Sequence, residues 1–76
     1  MLRDHPDWIT DRRRELGDRI ADLRSAARIT QESLCEATGL SRSNLQRIES
    51  GQADPRYSDL LRIAAVLDTR VSVLVD

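Results

Sequence analysis

The sequence predicts an all-α fold, a compact bundle of four to five short helices with a short strand at its C-terminal end. Three observations carry this expectation. Apolar residues recur at spacings of three and four over most of the 76 residues, glycines stand at the junctions, and the last seven residues switch to an alternating β-branched pattern. Trp8 and Tyr57 are the only aromatic residues and Phe is absent, so the core has to be built from aliphatic side chains.

The first helix is read from Thr10 to Ala27, where Leu16, Ile20, Leu23 and Ala27 are spaced by four, three and four among acids and arginines. Glu15 and Arg19 stand in the favoured i,i+4 order, and Asp11 lies near the positive end of the helix dipole. Pro6 and Asp7 allow a start one or two turns earlier, which adds Ile9 to the apolar stripe, with Gly17 as a soft point inside it. Residues 1–15 are therefore either an N-terminal arm or an extension of helix 1. The run Arg12-Arg13-Arg14 is open in the same way, as a solvated helix face or as a phosphate-contacting arm.

Thr30 is placed to cap a second helix that carries Leu34 and Cys35 inward and stops at Gly39, a residue suited to the left-handed C-terminal position. Gly39-Leu40-Ser41 then separates it from a third helix, Arg42–Ser50, capped by Ser41, with Leu45 and Ile48 as its inward stripe and Gly51 as its end. Gln52-Ala53-Asp54-Pro55 is a polar loop whose proline starts or precedes a fourth helix, Tyr57–Leu67. That helix carries Leu60, Leu61, Ile63, Ala64, Ala65, Val66 and Leu67, more apolar surface than one core contact uses, and leaves Ser58, Asp59 and Arg62 as its main polar positions. From Arg70 to Asp76 the pattern reads better as a strand than as a helix, with Val71, Val73 and Val75 on one side. No second strand is visible, so its backbone groups are expected to pair with the same strand of a second chain. Leu61, Val71, Val73 and Val75 are the expected dimerisation residues.

Composition excludes several function classes. The 12 basic residues are all arginine and face 13 acids, a formal net charge of −1, so binding to a polyanion requires charge segregated onto one face. With Cys35 as the only cysteine and His5 as the only histidine, neither a disulfide framework nor a Cys/His metal cluster can be assembled within one chain. The longest apolar run, Ile63 to Leu67, is far short of a membrane span, and the N-terminus has no signal-peptide core. The expected setting is the cytoplasm. No phosphate-binding glycine loop, carboxylate pair or cofactor motif points to an enzyme, and no cofactor is expected.

At about 100° per residue, the third helix turns Ser43, Gln46, Arg47 and Ser50 away from Leu45 and Ile48, with Arg42 and Asn44 flanking the exposed first turn. An arginine grips guanine O6 and N7 with two hydrogen bonds, and glutamine or asparagine pairs with adenine. This outward face holds no acid, and it is either a reading surface for base edges or an ordinary solvated face. Glu49 lies four residues after Leu45, at the edge of the buried side, and needs a partner there. Arg24 occupies the equivalent edge of the first helix, four after Ile20, and the two are expected to form an ion pair.

These residues carry a resemblance. From Leu16 to Leu67 the run Arg24, Thr30-Gln31-Glu32-Ser33-Leu34-Cys35, Gly39-Leu40-Ser41-Arg42, Ile48-Glu49-Ser50-Gly51, Pro55, Leu60, Ala64 and Leu67 is similar to the Xre/Cro family of phage-repressor-like helix-turn-helix domains. The resemblance implies a lambda-repressor-like bundle that binds duplex DNA, with residues 16–69 as the DNA-binding domain and the third helix in the major groove. It implies that Gln31 clamps a phosphate, that Arg42, Ser43, Gln46 and Arg47 read bases, and that Asn44 touches phosphate or base. It further implies that Arg56 reaches phosphate or the minor groove and that Arg24 and Glu49 form the family's interhelix pair. Cys35 and Thr38 stand where the family has small apolar residues, and Cys35 is read as a buried small apolar side chain rather than a redox sensor. Arg56 replaces the usual cap of the fourth helix, which leaves Asp54 as an alternative cap. Residues 70–76, taken as a dimerisation strand, resemble the ending of HipB-type antitoxins. The implied function is a homodimeric, sequence-specific transcriptional repressor on a palindromic operator, in its sharper form an antitoxin partnered with a HipA-like toxin kinase. The alternatives are a restriction-modification controller, a stand-alone phage-type regulator, or a protein-interaction module that has lost DNA binding.

Overall fold

The computed structural model describes residues 7–76, so His5 and Pro6 lie outside the described residues. Five helices follow one another: α1 (Trp8–Ala26), α2 (Gln31–Thr38), α3 (Arg42–Glu49), α4 (Tyr57–Val66) and α5 (Val71–Val75). Helix α1 therefore begins about two turns before Leu16, which makes residues 8–15 an extension of helix 1. Among the described residues, no helix is long and apolar enough to cross a membrane.

The core is aliphatic throughout. Ile20 from α1, Ile48 from α3, Leu60, Ile63 and Ala64 from α4 and Leu74 from α5 form one buried cluster, with Leu16, Leu23, Leu40, Leu67 and Val71 packed against it. Leu34 and Leu45, one each from α2 and α3, are also fully buried. Helix α1 packs on α3 and α5, α2 on α3 and α4, and α4 on α5.

Local chemistry sets the hairpin between α2 and α3. The Thr30 hydroxyl accepts the Ser33 N–H at 3.0 Å, and the Ser41 hydroxyl accepts that of Asn44 at 3.1 Å, so both helices start on side-chain caps. Gly39, at φ 81°, ends α2 in the left-handed region. Buried Thr38 satisfies its hydroxyl by donating to the Leu34 carbonyl at 2.7 Å and accepting the Leu40 N–H at 3.3 Å. Arg56 occupies the N-cap position of the fourth helix but has no acceptor to cap it with; its backbone N–H donates to the Asp59 carboxylate at 3.0 Å. Asp54 instead faces Arg13 at 3.5 Å.

Three helices end with the same closure. The N–H of Ile29 donates to the Arg24 carbonyl, that of Gln52 to Arg47, and that of Thr69 to Ala64, at 3.0, 2.8 and 2.9 Å. Each closure needs a left-handed residue just before its donor. Gly51 supplies it after α3 at φ 79°, whereas Arg28 (φ 59°) and Asp68 (φ 55°) supply it after α1 and α4.

Several expectations are corrected. Residues 71–75 form a helix and not a strand, so the alternating valines share no single face. Leu74 is fully buried in the chain's own core, and Arg12 and Arg19 of α1 donate to the last backbone carbonyls of α5, which closes the helix despite its β-branched sequence. Because Arg19 serves α5, the Glu15–Arg19 pair is not made; Glu15 lies 3.3 Å from Arg12. Gly17 is no soft point but a contact: a Cβ there would stand 2.4 Å from the Ile48 carbonyl oxygen and 2.5 Å from that of Glu49. Asp59, one of the main polar positions of the fourth helix, is buried at 3% exposure.

Two outcomes follow. Gly17→Ala forces α1 away from the end of α3, and urea unfolding is expected to show a loss of about 1–3 kcal/mol, the usual cost of overpacking against groups that cannot move aside. Arg28→Gly removes the left-handed penalty from an exposed position and should gain up to about 1 kcal/mol in the same assay.

Candidate nucleic-acid interface

The fold presents the outer face of α3 on a rigid base. Leu45 and Ile48 anchor it to the core at 0% and 1% exposure. Around the same short helix Arg42, Ser43, Gln46 and Arg47 are exposed and Asn44 is half-buried. The cap at Ser41 fixes the first turn, where side chains project beyond the bundle. Arg47 is steered toward the end of the helix, its Nη2 donating to the Gln52 carbonyl at 3.5 Å. Among the described residues no acid lies on this face, and neither Arg42 nor Arg47 is in an ion pair.

Behind it lies a charged hub. The Arg24 guanidinium meets the Glu49 carboxylate in a two-point contact, Nε to Oε2 at 2.8 Å and Nη2 to Oε1 at 3.1 Å, with side-chain exposures of 16% and 8%. Its remaining nitrogen, Nη1, donates to the Ile29 carbonyl at 2.9 Å in the linker between α1 and α2. The Glu49 hydrogen bonds hold the Arg24 guanidinium even more firmly protonated than usual, against the opposing effect of burial.

Gln31, the first residue of α2, joins the same carboxylate: its Nε2 donates to Glu49 Oε1 at 2.9 Å. A carboxylate only accepts, so the amide must turn its nitrogen inward, which leaves its second N–H available. The backbone N–H groups of Gln31 and Glu32, ahead of the capped Ser33 N–H, lie at the start of the same turn and favour an anion. This contact between Gln31 and Glu49 was not legible in the sequence, since a glutamine carries no obligation to be paired.

Arg56 lies apart from this hub. It projects from the start of α4, 82% exposed, with its Nε 3.7 Å from the buried Asp59 carboxylate, which Arg62 also approaches at 3.6 Å. Cys35 is half-buried, and burial pushes its thiol up, away from the thiolate that redox chemistry needs. Of the residues expected at a dimer contact, Leu61 and Val71 line one open groove with Tyr57, Ala65 and Thr69, whereas Val75 lines a second cleft beside Trp8 and Leu16. Val73 is exposed and lines neither.

Comparison with known proteins bears on this geometry. Residues 15–74 match the sequence model of a family described as a helix-turn-helix domain. The immunity repressor protein of Bacillus phage phi105 is 38% identical over 60 residues, covering 79% of this chain and 42% of the repressor. This chain thus spans about two fifths of that relative's length. The crystal structure of the restriction-modification controller protein C.AhdI from Aeromonas hydrophila matches with a TM-score of 0.79 at 32% identity, over 82% of this chain and 94% of the controller.

The hub yields a stability prediction. Glu49→Ala leaves Arg24 charged and largely enclosed, and a loss of about 3–5 kcal/mol is expected, as for other broken buried pairs. Thermal unfolding checks this, and a variant melting with the wild type would remove the pair's structural role.

Proposed function

The chain belongs to the helix-turn-helix domain family in its phage-repressor-like form, and from that premise we propose that it is a sequence-specific, double-stranded DNA-binding transcription regulator. The observation that carries the proposal is the acid-free outer face of α3, exposed on a helix whose other side is fully buried. In this reading Arg42, Ser43, Gln46 and Arg47 meet base edges in the major groove, and Asn44 meets base or phosphate. Gln31 with the first N–H groups of α2 grips a phosphate on one side, and Arg56 reaches the backbone on the other.

Two copies are proposed to act together, joined through the groove of Tyr57, Leu61, Ala65 and Val71. One eight-residue helix reads few base pairs. Duplication on a palindromic operator supplies the missing specificity, with half-sites about 34 Å apart or a multiple of it. The likeness to a phage immunity repressor and to a restriction-modification controller favours a repressor or controller. The antitoxin version, with its HipA-like kinase, leaned on a C-terminal strand; with α5 in that place it loses its support.

Selection of bound duplexes from a random pool, followed by gel shifts over a salt series, tests the reading. A palindromic consensus is expected, with affinity falling as salt rises by about −0.9 in the log–log slope for each phosphate neutralised. Arg47→Ala should relax preference at one base position by about 1–3 kcal/mol. Gln31→Ala should weaken all duplexes alike, because a phosphate contact carries no sequence information. No enrichment at low salt would overturn DNA binding, and identical behaviour of the two variants would overturn the division of roles.

A further inference from the structure

The arginine run of α1, though largely exposed, makes contacts with other parts of the chain. Arg13 faces Asp54 at 3.5 Å, and Arg14 lies against Gly51. Arg12 and Arg19 stand seven residues apart, on one face of the helix, and both reach α5. Arg12 Nη2 donates to the Val75 carbonyl at 2.7 Å. Arg19 Nη1 donates to the carbonyls of Val73 and Leu74 at 3.2 and 3.3 Å and to the backbone oxygen of Asp76.

Helix α5 depends on such partners. At five residues it is far below the length of about 12–15 at which a helix holds itself in water. Three of the five are valines, which lose side-chain freedom in a helix. Its start has no side-chain cap, and its last carbonyls have no donors within the helix. Two guanidinium groups at that end supply both the donors and a favourable charge at the negative end of the dipole.

The docked α5 in turn supplies one wall of the open groove: Val71 and Ser72 stand on it, opposite Tyr57, Leu61 and Ala65 of α4. Neither Arg12 nor Arg19 lines that groove. We propose that Arg12 and Arg19 are positioning residues for self-association, holding α5 so that the groove has the shape a second copy of this chain covers. The proposal rests on the homodimer reading above. It assigns the arginines of α1 a part in assembly that requires no contact with the partner copy or with DNA.

The test is made on the full chain as wild type, Arg19→Met, Arg19→Lys and Leu61→Asp. Two quantities are measured: amide hydrogen exchange of Val73 and Leu74, whose N–H groups donate to the Arg70 carbonyl, and the dissociation constant from sedimentation. In Arg19→Met the protection of Val73 and Leu74 should fall at least about tenfold, with the core amides of Ile20 and Ile48 much less affected. The dissociation constant should rise by a similar factor. Arg19→Lys, which keeps the charge but not the forked donor, should fall between, and serves if the methionine variant does not fold. Leu61→Asp should abolish the dimer while leaving the α5 amides protected.

Unchanged protection in Arg19→Met overturns the clamp, and lost protection with an unchanged dissociation constant overturns its link to assembly. A uniform fall across all amides marks a general loss of stability and also overturns it. A wild type that remains monomeric at every concentration removes the dimer reading and the proposal with it, and the exchange data still report whether the clamp exists.

Discussion

Glu49 closes α3 with its side chain 8% exposed, and three elements depend on how it is satisfied. Arg24 brings α1 to it through a forked contact, and Gln31 brings the first turn of α2. The guanidinium's last nitrogen holds Ile29, in the linker between those helices. Removing two charges from water is costly, and it is tolerated only where the lone pairs and protons are nearly all matched. Here they are, so relative displacement of α1, α2 and α3 is opposed by a loss of charge-assisted hydrogen bonds. The outer face of α3 is held by the back of its own helix.

Close packing complements the charge. Where α1 crosses the end of α3, Gly17 lets the carbonyls of Ile48 and Glu49 approach, and Gly51 gives room to Arg14. The two glycines act differently. Gly17 is helical and needed for its missing side chain, whereas Gly51 also takes a left-handed conformation that ends α3. Together they bring α1 near enough for Arg24 to reach Glu49. Packing distance and ion-pair geometry are thus one constraint seen from two sides.

The parts of this structure that could be read from sequence are those decided within a few residues. Thr30, Gly39, Ser41 and Gly51 act on their own backbone neighbourhood, so the α2–α3 hairpin and its outward residues were legible. The partnership of Arg24 with Glu49 was legible too, because both lie at the edge of a well-defined apolar stripe. Helix α5 was not. Its valines state a local preference for extended structure, and that preference is overruled by Leu74 in the core and by donors more than fifty residues away in sequence. Asp59 escaped for the same reason, since its burial follows from how α4 packs and not from its own helix.

The outer face of α3, the hub and the α5 clamp all use guanidinium groups, and the chain contains no lysine to share these tasks. Acetylation of lysine is a common means of lifting positive charge from a DNA contact, and it has no side chain to act on here. Hydroxyl groups offer a different route, since a phosphate on one adds negative charge. Ser41 and Ser43, both exposed at the start of α3, stand where an added phosphate would set negative charge beside Arg42 on the outer face of that helix.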